Sequence, residues 1–148
     1  VLAKGGEAVP KHWKQEGGVW YERFFDQWRV MDDQQAVRHI HYEDAVEYAT
    51  NQHLRLPTEA ELTLLMATNP NDWQASDLWE WTSSPFLPFA GFTPDPYLDY
   101  SKPWFDGTYQ VLKGWSPFTV ERMRRLGFRN FYQTKRNDIF SGFRVCRL

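Results

Sequence analysis

Residues 79–107 read WEWTSSPFLPFAGFTPDPYLDYSKPWFDG, and this stretch decides how the whole chain is interpreted. It contains nine aromatic residues and five of the nine prolines in the sequence. Proline at that density excludes a helix and central strands, and so many rings cannot all remain in water. The apolar residues follow neither the alternation of a strand nor the period of a helix. We therefore predict a long, ordered loop that is fixed by its own rings and forms a functional site.

The composition around this loop indicates one domain. A chain of 148 residues can bury roughly 70% of its unfolded surface in a single core. Aromatic residues make up 18% of the sequence, with eight tryptophans. A core made of large rings favours a loop-rich α+β fold over a helical bundle.

Charge is distributed unevenly along the chain. The net charge is −2, but residues 111–148 carry nine Lys or Arg against two acids. This basic part is typical of a site for an anionic ligand such as a small carboxylate, although the arginines can equally form structural pairs with acids. The segment RMRRLGFRNFYQTKR (122–136) interleaves cations with rings, as in proteins that bind single-stranded nucleic acid. The acidic remainder would repel a polyanion, so we favour the small ligand.

The single cysteine, Cys146, excludes an internal disulfide and a cysteine-based zinc site. It lies in a predicted strand, where an inert packed thiol is expected. We recognise no secretion signal and no apolar run long enough for a membrane span, which favours a reducing, cytoplasmic location. Because the first residue is Val1, we expect a processed chain or a piece of a longer one.

Regular elements are predicted on both sides of the aromatic loop. An amphipathic stripe predicts a helix over 42–51, and the capping box Thr58-Glu59-Ala60-Glu61 predicts a second helix that ends before Asn69-Pro70. Ser116-Pro117 has the pattern of a helix N-cap followed by proline. Strands are predicted for the segments VWYERFF (19–25), QWRV (27–30), AVRHIHY (36–42), TYQVLKGW (108–115), GFRNFY (127–132) and SGFRVCRL (141–148).

Several chemical sites can be weighed from the residue types. His39 and His41 would share one face of a strand, as two metal ligands do, but no third ligand lies at a convincing spacing, so packing roles are favoured. The sequence contains no GxSxG nucleophile motif, and neither of the glycine-rich phosphate-binding patterns occurs.

Seven strings recur together in one known family of domains. They are HYEDAVEYA, LRLPTEAEL, LWEWTSSPFLPFAGF, PYLDYSKPWFDG, VLKGWS, FRNFY and SGFRV. In this order they resemble the formylglycine-generating-enzyme (sulfatase-modifying factor) fold. More narrowly, the chain is similar to the C-terminal domain of the ergothioneine, ovothiol and selenoneine sulfoxide synthases.

The resemblance implies a loop-rich, C-type-lectin-like α+β fold over residues 1–148. It also implies that an N-terminal DinB-like helical bundle, absent from this segment, precedes the domain in a longer protein. Formylglycine-generating enzymes use a cysteine pair near the C-terminus, whereas FRNFYQTKRNDIFSGFR (128–144) has no cysteine. That departure argues against formylglycine formation.

The resemblance further implies an iron-dependent oxidoreductase. In the sulfoxide synthases, three histidines of the bundle hold Fe(II), and O₂ is used to form a C–S or C–Se bond to the imidazole C2 of trimethylated histidine (hercynine). This chain would then be the substrate-binding half, with histidine betaine, a sulfur or selenium donor, O₂ and the bundle as its partners. No nucleic acid and no membrane would be involved.

Five residues carry the site that the resemblance implies. Tyr97, in PYLDYS, matches a tyrosine that supplies a proton or hydrogen atom to the reacting oxygen. Asn130 and Phe131, in FRNFY, match positions beside the betaine, where a carboxamide bonds polar groups and a ring suits the trimethylammonium. Arg136 matches an arginine that binds a carboxylate of the thiol substrate.

Tyr132 departs from the family pattern, because the members that use glutamyl-cysteine carry an aspartate there to bind the ammonium group. Its presence puts glutamyl-cysteine in doubt and leaves cysteine or a selenosugar open. GWS (114–116), in place of the usual GGS, has no explanation in the sequence.

Two other classes of function remain. The same fold serves as a non-catalytic ligand-binding module in receptor-type proteins. A purely structural domain would leave Tyr97→Phe and Arg136→Ala without effect.

Overall fold

The computed structural model describes residues 9–69, 73 and 77–148. Within these ranges the chain is a mixed α+β structure with few helices and several sheets, as the α+β prediction required. The strands are β1 (Trp13–Glu16), β2 (Val19–Phe24), β3 (Gln27–Val30), β4 (Leu54–Arg55), β5 (Trp79–Pro85), β6 (Tyr109–Gly114), β7 (Asn130–Gln133), β8 (Ser141–Phe143) and β9 (Cys146–Arg147). The α-helices are α1 (Tyr42–Asn51) and α2 (Glu59–Thr68), with short 3₁₀ turns at Leu98–Tyr100, Lys102–Trp104 and Glu121–Met123.

Three sheets organise the described part of the chain. Strands β1, β2 and β3 form an antiparallel meander, and β4 pairs with β9. The third sheet has the order β7-β6-β5-β8, in which β5 and β8 are parallel and the other pairs are antiparallel. Strand β7 is therefore an edge strand of the sheet that passes through the core.

The two predicted helices are confirmed with their expected bounds. Thr58 caps α2: its Oγ1 accepts from the Glu61 N–H at 3.2 Å, and a Glu61 oxygen accepts from the Thr58 N–H at 2.8 Å. Helix α2 buries Leu62 and Met66 and ends at Thr68, while Pro70 lies outside the described residues. The capping box thus fixes the direction in which α2 leaves the turn after β4.

The predicted strand at residues 36–42 is wrong. His39 has a φ of +60°, a left-handed conformation that interrupts an extended strand. Ile40 is fully buried, and its carbonyl accepts from the Trp81 indole at 2.8 Å and from the Ser141 hydroxyl at 2.9 Å. This segment is therefore an irregular connection that hydrogen bonds to β5 and β8 fix in place, and it does not form a strand of its own.

The prediction that residues 79–107 contain no regular element is also wrong, because β5 occupies the first seven positions. Trp79, Glu80, Trp81 and Thr82 are all buried, so both faces of the strand are covered and the sequence shows no alternation. Glu80 forms an ion pair with Arg144, and the Thr82 hydroxyl donates to the Val111 carbonyl at 2.9 Å. Regular structure then gives way to the predicted loop, which holds two short 3₁₀ turns.

Ser116 and Pro117 do not start a helix. The Ser116 carbonyl accepts from the Thr119 N–H at 3.0 Å, and the Thr119 hydroxyl accepts from the Ser116 N–H at 3.0 Å, which closes a turn. The strand predictions at 19–25, 27–30, 108–115 and 127–132 are confirmed by β2, β3, β6 and β7, with small differences in bounds. The single strand predicted over 141–148 is wrong in part, because the structure divides it into β8 and β9, which belong to different sheets.

The main core lies between α1 and one face of the four-stranded sheet. Its buried members are Ile40, Ala45, Ala49, Leu56, Trp79, Trp81 and Leu112. Across the described ranges, no helix is long and apolar enough to cross a membrane.

Candidate functional site

Strand β7 carries three of the five predicted site residues and sends them to opposite faces of the sheet. Leu112 pairs with Asn130, Val111 with Phe131, and Gln110 with Tyr132. Side chains alternate along a strand, so Asn130 and Tyr132 share one face and Phe131 lies on the other. The motif FRNFY therefore contributes to two separate surfaces.

The polar face of β7 adjoins the main core. Tyr132 packs against the core cluster, and the Asn130 side-chain oxygen accepts from the Phe131 N–H at 3.0 Å. Gln110 lies directly opposite Tyr132, and its Oε1 is buried without a hydrogen-bond partner among the described residues. No pattern in the sequence indicates that Gln110 lies beside Tyr132, because only the strand register reveals its position.

Phe131 belongs to a ring cluster that joins β7 to the aromatic loop. Its ring stacks on Phe86, with centroids 3.9 Å apart and planes 11° apart, and it also contacts Trp104 and Tyr109 at centroid distances of 5.9 and 5.6 Å. The ring cluster consists of Phe86, Phe92, Trp104, Phe105, Tyr109 and Phe131. Within the loop, Phe105 contacts both Phe86 and Phe92, so rings of the loop pack on one another, and Phe86 also covers one face of Phe131.

Arg129 braces this cluster from the basic part of the chain. Its guanidinium donates to both carboxylate oxygens of Glu59, at 2.7 and 2.9 Å, and to the Leu87 carbonyl at 3.0 Å. The same group lies 4.7 Å from the centroid of Phe86 and 4.2 Å from that of Phe89. Arg129 therefore connects the N-terminus of α2 to the start of the aromatic loop. This arginine thus forms a structural pair with an acid, which is one of the two roles that the sequence left open for the basic part of the chain.

Lys113 fixes the segment that leads into β7. Its side chain is 1% exposed, and its ammonium donates to the carbonyls of Leu126 and Phe128, the latter at 2.9 Å. Burial lowers the pKa of Lys113, and the nearby Arg129 charge acts in the same direction while Glu59 opposes it. The turn before Asn130 is thus held by a buried donor rather than by a regular element.

Arg136 lies on the Tyr132 side of the strand. Its guanidinium carbon is 4.5 Å from the Tyr132 centroid, and Nε donates to Asp138 at 2.7 Å. This bond lowers the pKa of the Asp138 carboxyl and raises that of Arg136. The side chain of Arg136 remains 46% exposed, so a ligand carboxylate can approach it but must compete with Asp138.

Tyr97 lies in the aromatic loop, immediately before the 3₁₀ turn at Leu98–Tyr100. It is 59% exposed, and its backbone N–H donates to the Asp95 side chain at 3.1 Å. The Asp95 bond forms a local turn that sets the direction of the chain at Tyr97. Of the five predicted residues, the structure brings together Asn130, Tyr132 and Arg136, while Phe131 and Tyr97 belong to the loop side.

Two cavities occur elsewhere on the described surface. One, of about 290 Å³, is lined by Pro57, Glu61, Leu62, Leu65, Arg144, Val145 and Cys146. The other, of about 590 Å³, is lined mainly by α2, Phe89, Lys113 and the 126–127 turn. None of the five predicted site residues lines either of these two cavities.

The histidines do not form a metal centre in the described ranges. No group of three His, Cys, Asp or Glu side chains suited to a metal ion is found there. His39 instead packs against His12, with ring centroids 4.6 Å apart, and its Nδ1 lies 3.1 Å from the Asn137 carbonyl. His41 pairs with Asp44 at the start of α1, which supports the packing roles favoured from the sequence.

Cys146 behaves as the packed thiol that was predicted. It lies in β9, and its Sγ contacts the Arg55 carbonyl at 3.6 Å. Burial raises the pKa of the thiol, which lowers its reactivity at neutral pH.

The fold and the β7 surface define a mixed α+β domain. Its edge strand carries Asn130 and Tyr132 on one face, near Arg136, and Phe131 with the ring cluster on the other. No protein-family model matches the chain. It is 30% identical over 186 aligned residues to the hercynine oxygenase of Mycobacterium tuberculosis, an alignment that covers 97% of this chain and 43% of that protein. It is 28% identical over 177 residues to ergothioneine biosynthesis protein 1 of Schizosaccharomyces pombe, covering 98% of this chain and 23% of that protein.

A shorter stretch shows a higher similarity. Over 74 residues the chain is 47% identical to the hercynine oxygenase of Mycolicibacterium smegmatis, covering 47% of this chain and 17% of that protein. The chain is therefore a homologue of proteins named hercynine oxygenase and ergothioneine biosynthesis protein 1, and it spans less than half the length of these relatives.

Proposed function

We propose that this chain is the substrate-binding domain of an iron(II)- and O₂-dependent enzyme that joins sulfur or selenium to the imidazole C2 of trimethylhistidine. The observation that carries the proposal is the similarity to hercynine oxygenase along 97% of the chain. The grouping of Asn130, Tyr132 and Arg136 on one side of β7 supports it, because amide, phenol and guanidinium groups suit a zwitterionic substrate.

The proposal assigns the iron to another part of a longer protein. The described residues offer no three-ligand group, so they do not fit an iron site. We propose that a DinB-like bundle supplies the ligands and that this domain has the C-type-lectin-like fold of formylglycine-generating enzymes. The mixed α+β architecture with long loops is compatible with that fold.

Each candidate residue then has a binding or proton-handling role. Arg136 binds the carboxylate of the donor and Asn130 bonds the betaine, while Phe131, on the opposite face of β7, supports the site by holding the strand against the ring cluster of the loop. Tyr97 holds the proton that is needed when the oxygen atoms of O₂ are reduced. For a thiol donor, the balance is one betaine C–H, one S–H and O₂, which give a C–S bond with one oxygen on sulfur and one water.

The test uses the whole protein that contains this chain. It would be incubated with iron(II), O₂ and trimethylhistidine, with cysteine, glutamyl-cysteine or a selenosugar as the donor, and products would be identified by mass spectrometry. The proposal expects a coupled product with at least one donor, and Tyr97→Phe should reduce its rate. Binding of trimethylhistidine without turnover for any donor would instead support a non-catalytic ligand-binding module.

A further inference from the structure

Helix α2 presents an uncharged side to solvent. After its first turn the helix contains no charged residue, although a surface helix normally carries charges on its outer side. Leu62 and Met66 fill the core side, whereas Leu64 is 62% exposed. The outer stripe consists of Ala60, Thr63, Leu64 and Ala67, and all four line the cavity of about 590 Å³. In the described ranges, only one of the two uncharged sides of α2 is therefore covered.

The cavity has the size and lining of a site for a small apolar molecule. Phe89 and Leu126, which are 64% and 42% exposed, complete its apolar lining. Pockets of roughly 300–1,000 Å³ with a mostly apolar lining and a few polar groups are typical of ligand sites. The polar groups at this cavity then decide which kind of molecule fits.

Two hydrogen-bond donors line the cavity. Lys113 is 1% exposed, and two of its three ammonium protons bond the carbonyls of Leu126 and Phe128. The third proton has no acceptor in the part of the chain that the structure describes. The Ser84 Oγ accepts from the Glu59 N–H at 2.9 Å, which leaves the hydroxyl proton of Ser84 to donate.

The charges around the cavity favour an anion. Glu59 is the one acid among its described lining residues, and Arg129 bonds both of its carboxylate oxygens. The cations Lys113 and Arg129 against Glu59 leave a surplus of one positive charge. A carboxylate can accept from both Lys113 and Ser84, whereas a cationic ligand would meet an unpaired, buried ammonium group.

We propose that this cavity binds a small monocarboxylate with an apolar chain or ring. Its carboxylate accepts hydrogen bonds from Lys113 and Ser84, and its apolar part covers Leu64 and Phe89. None of the five predicted site residues lines the cavity, so this inference does not depend on the proposed reaction.

The probes are octanoate and 3-phenylpropanoate, titrated calorimetrically into the whole protein that contains this chain. Their amides, which have the same apolar part without the charge, are the comparison. At least one acid should bind, about 10-fold or more tightly than its amide, because a charge-assisted hydrogen bond is lost in the amide. Failure of both acids to bind, as when another segment of the longer protein covers α2, would overturn the inference.

Leu64→Glu places a negative charge on the lining of the cavity. It should lower the affinity for the bound acid about 10-fold or more and leave the free energy of unfolding nearly unchanged, since Leu64 is exposed. Val46→Glu is the matched control, because Val46 is an exposed aliphatic residue of α1 that does not line the cavity. It should keep the wild-type affinity. Equal affinities in Leu64→Glu and wild type would show that the acid binds elsewhere.

Two further variants test the donors. Lys113→Met keeps an apolar stem and removes the charge, so the acid should bind no more tightly than its amide. Because Lys113 also holds the carbonyls of Leu126 and Phe128, this variant can fail to fold. Ser84→Ala removes only a hydroxyl and should reduce the preference for the acid by about 5-fold. An unchanged preference in Ser84→Ala would refute the proposed position of the carboxylate.

Discussion

Phe86 and Phe131 stack face to face at 3.9 Å, and this contact joins the aromatic loop to the edge strand of the candidate site. Phe86 follows β5 directly and is buried, and Phe131 lies in the middle of the FRNFY motif. The loop and the strand are therefore expected to move together rather than independently.

Phe86→Ala should destabilise the protein by about 3 kcal/mol, because a buried ring is lost and the surrounding rings can fill the space only in part. Urea unfolding followed by tryptophan fluorescence would measure this change. Phe89→Ala is the control, since Phe89 is 64% exposed and its ring contacts the Arg129 guanidinium. It should cost less than about 1 kcal/mol, and equal losses in the two variants would contradict the packing role of Phe86.

The Glu59–Arg129 pair gives a second prediction. Both side chains are largely buried, so removing one partner leaves an uncompensated charge. Glu59→Leu and Arg129→Met should each cost about 3 kcal/mol, while the double variant should lose much less than the sum of the two. Chemical denaturation of the two single variants and the double variant would measure the coupling.

A double-mutant cycle on the Arg55–Glu61 pair is the control. In this pair the guanidinium also bonds both carboxylate oxygens, but the two side chains are exposed. Solvent screening should make its coupling far smaller than that of Glu59 and Arg129. Comparable couplings would show that burial is not the source of the effect.

Acid should weaken the contact between the N-terminal segment and the tail. Burial lowers the pKa of both His12 and His39; their mutual repulsion and the cations Lys11 and Arg23 add to the shift of His12, while Asp138 opposes it. A histidine pKa that is lower in the folded state means that the unfolded chain binds protons first. The free energy of unfolding should therefore fall as the pH drops below about 6.5.

His12→Phe should reduce this pH dependence, because it removes one of the two groups and keeps a ring against His39. The slope of unfolding free energy between pH 7 and pH 5 measures it. His53→Asn, at an exposed histidine whose φ of +56° asparagine tolerates, should leave the slope unchanged. An identical slope in His12→Phe and wild type would exclude the histidine pair as its source.

Arg136 and Asp138 should have opposite effects on a donor that carries a carboxylate. Arg136→Ala should raise the KM for that donor about 10- to 100-fold, because a charge-assisted bond is lost. Asp138→Asn should lower the same KM, because the guanidinium no longer has a competing carboxylate. Steady-state kinetics of the whole protein would measure both changes, and a rise in KM for both variants would show that the ion pair serves only to shape the loop.

Local signals in the sequence were sufficient for the helices and for several strands. The Thr58 capping box and the stripe beginning at Tyr42 act within one or two turns, so α1 and α2 were predicted with their bounds. Strand β5 was missed because both of its faces are buried, which removes the alternation on which strand prediction depends. The segment at His39 was misassigned because tertiary hydrogen bonds hold its left-handed conformation.

The sequence supplies the candidate residues as a list but not their arrangement. Neighbours in FRNFY face opposite sides of the sheet, and the covering of Phe131 by Phe86 joins positions 45 residues apart in the chain.

The bonds between Ile40 and Ser141 connect the first third of the chain to its last residues, and β4 pairs with β9 close to the final position. During synthesis these partners emerge from the ribosome far apart in time, so the contacts of Ile40 with Ser141 and of β4 with β9 form only after the last of these residues is exposed. We therefore expect the tryptophan-rich strands to be covered late in translation.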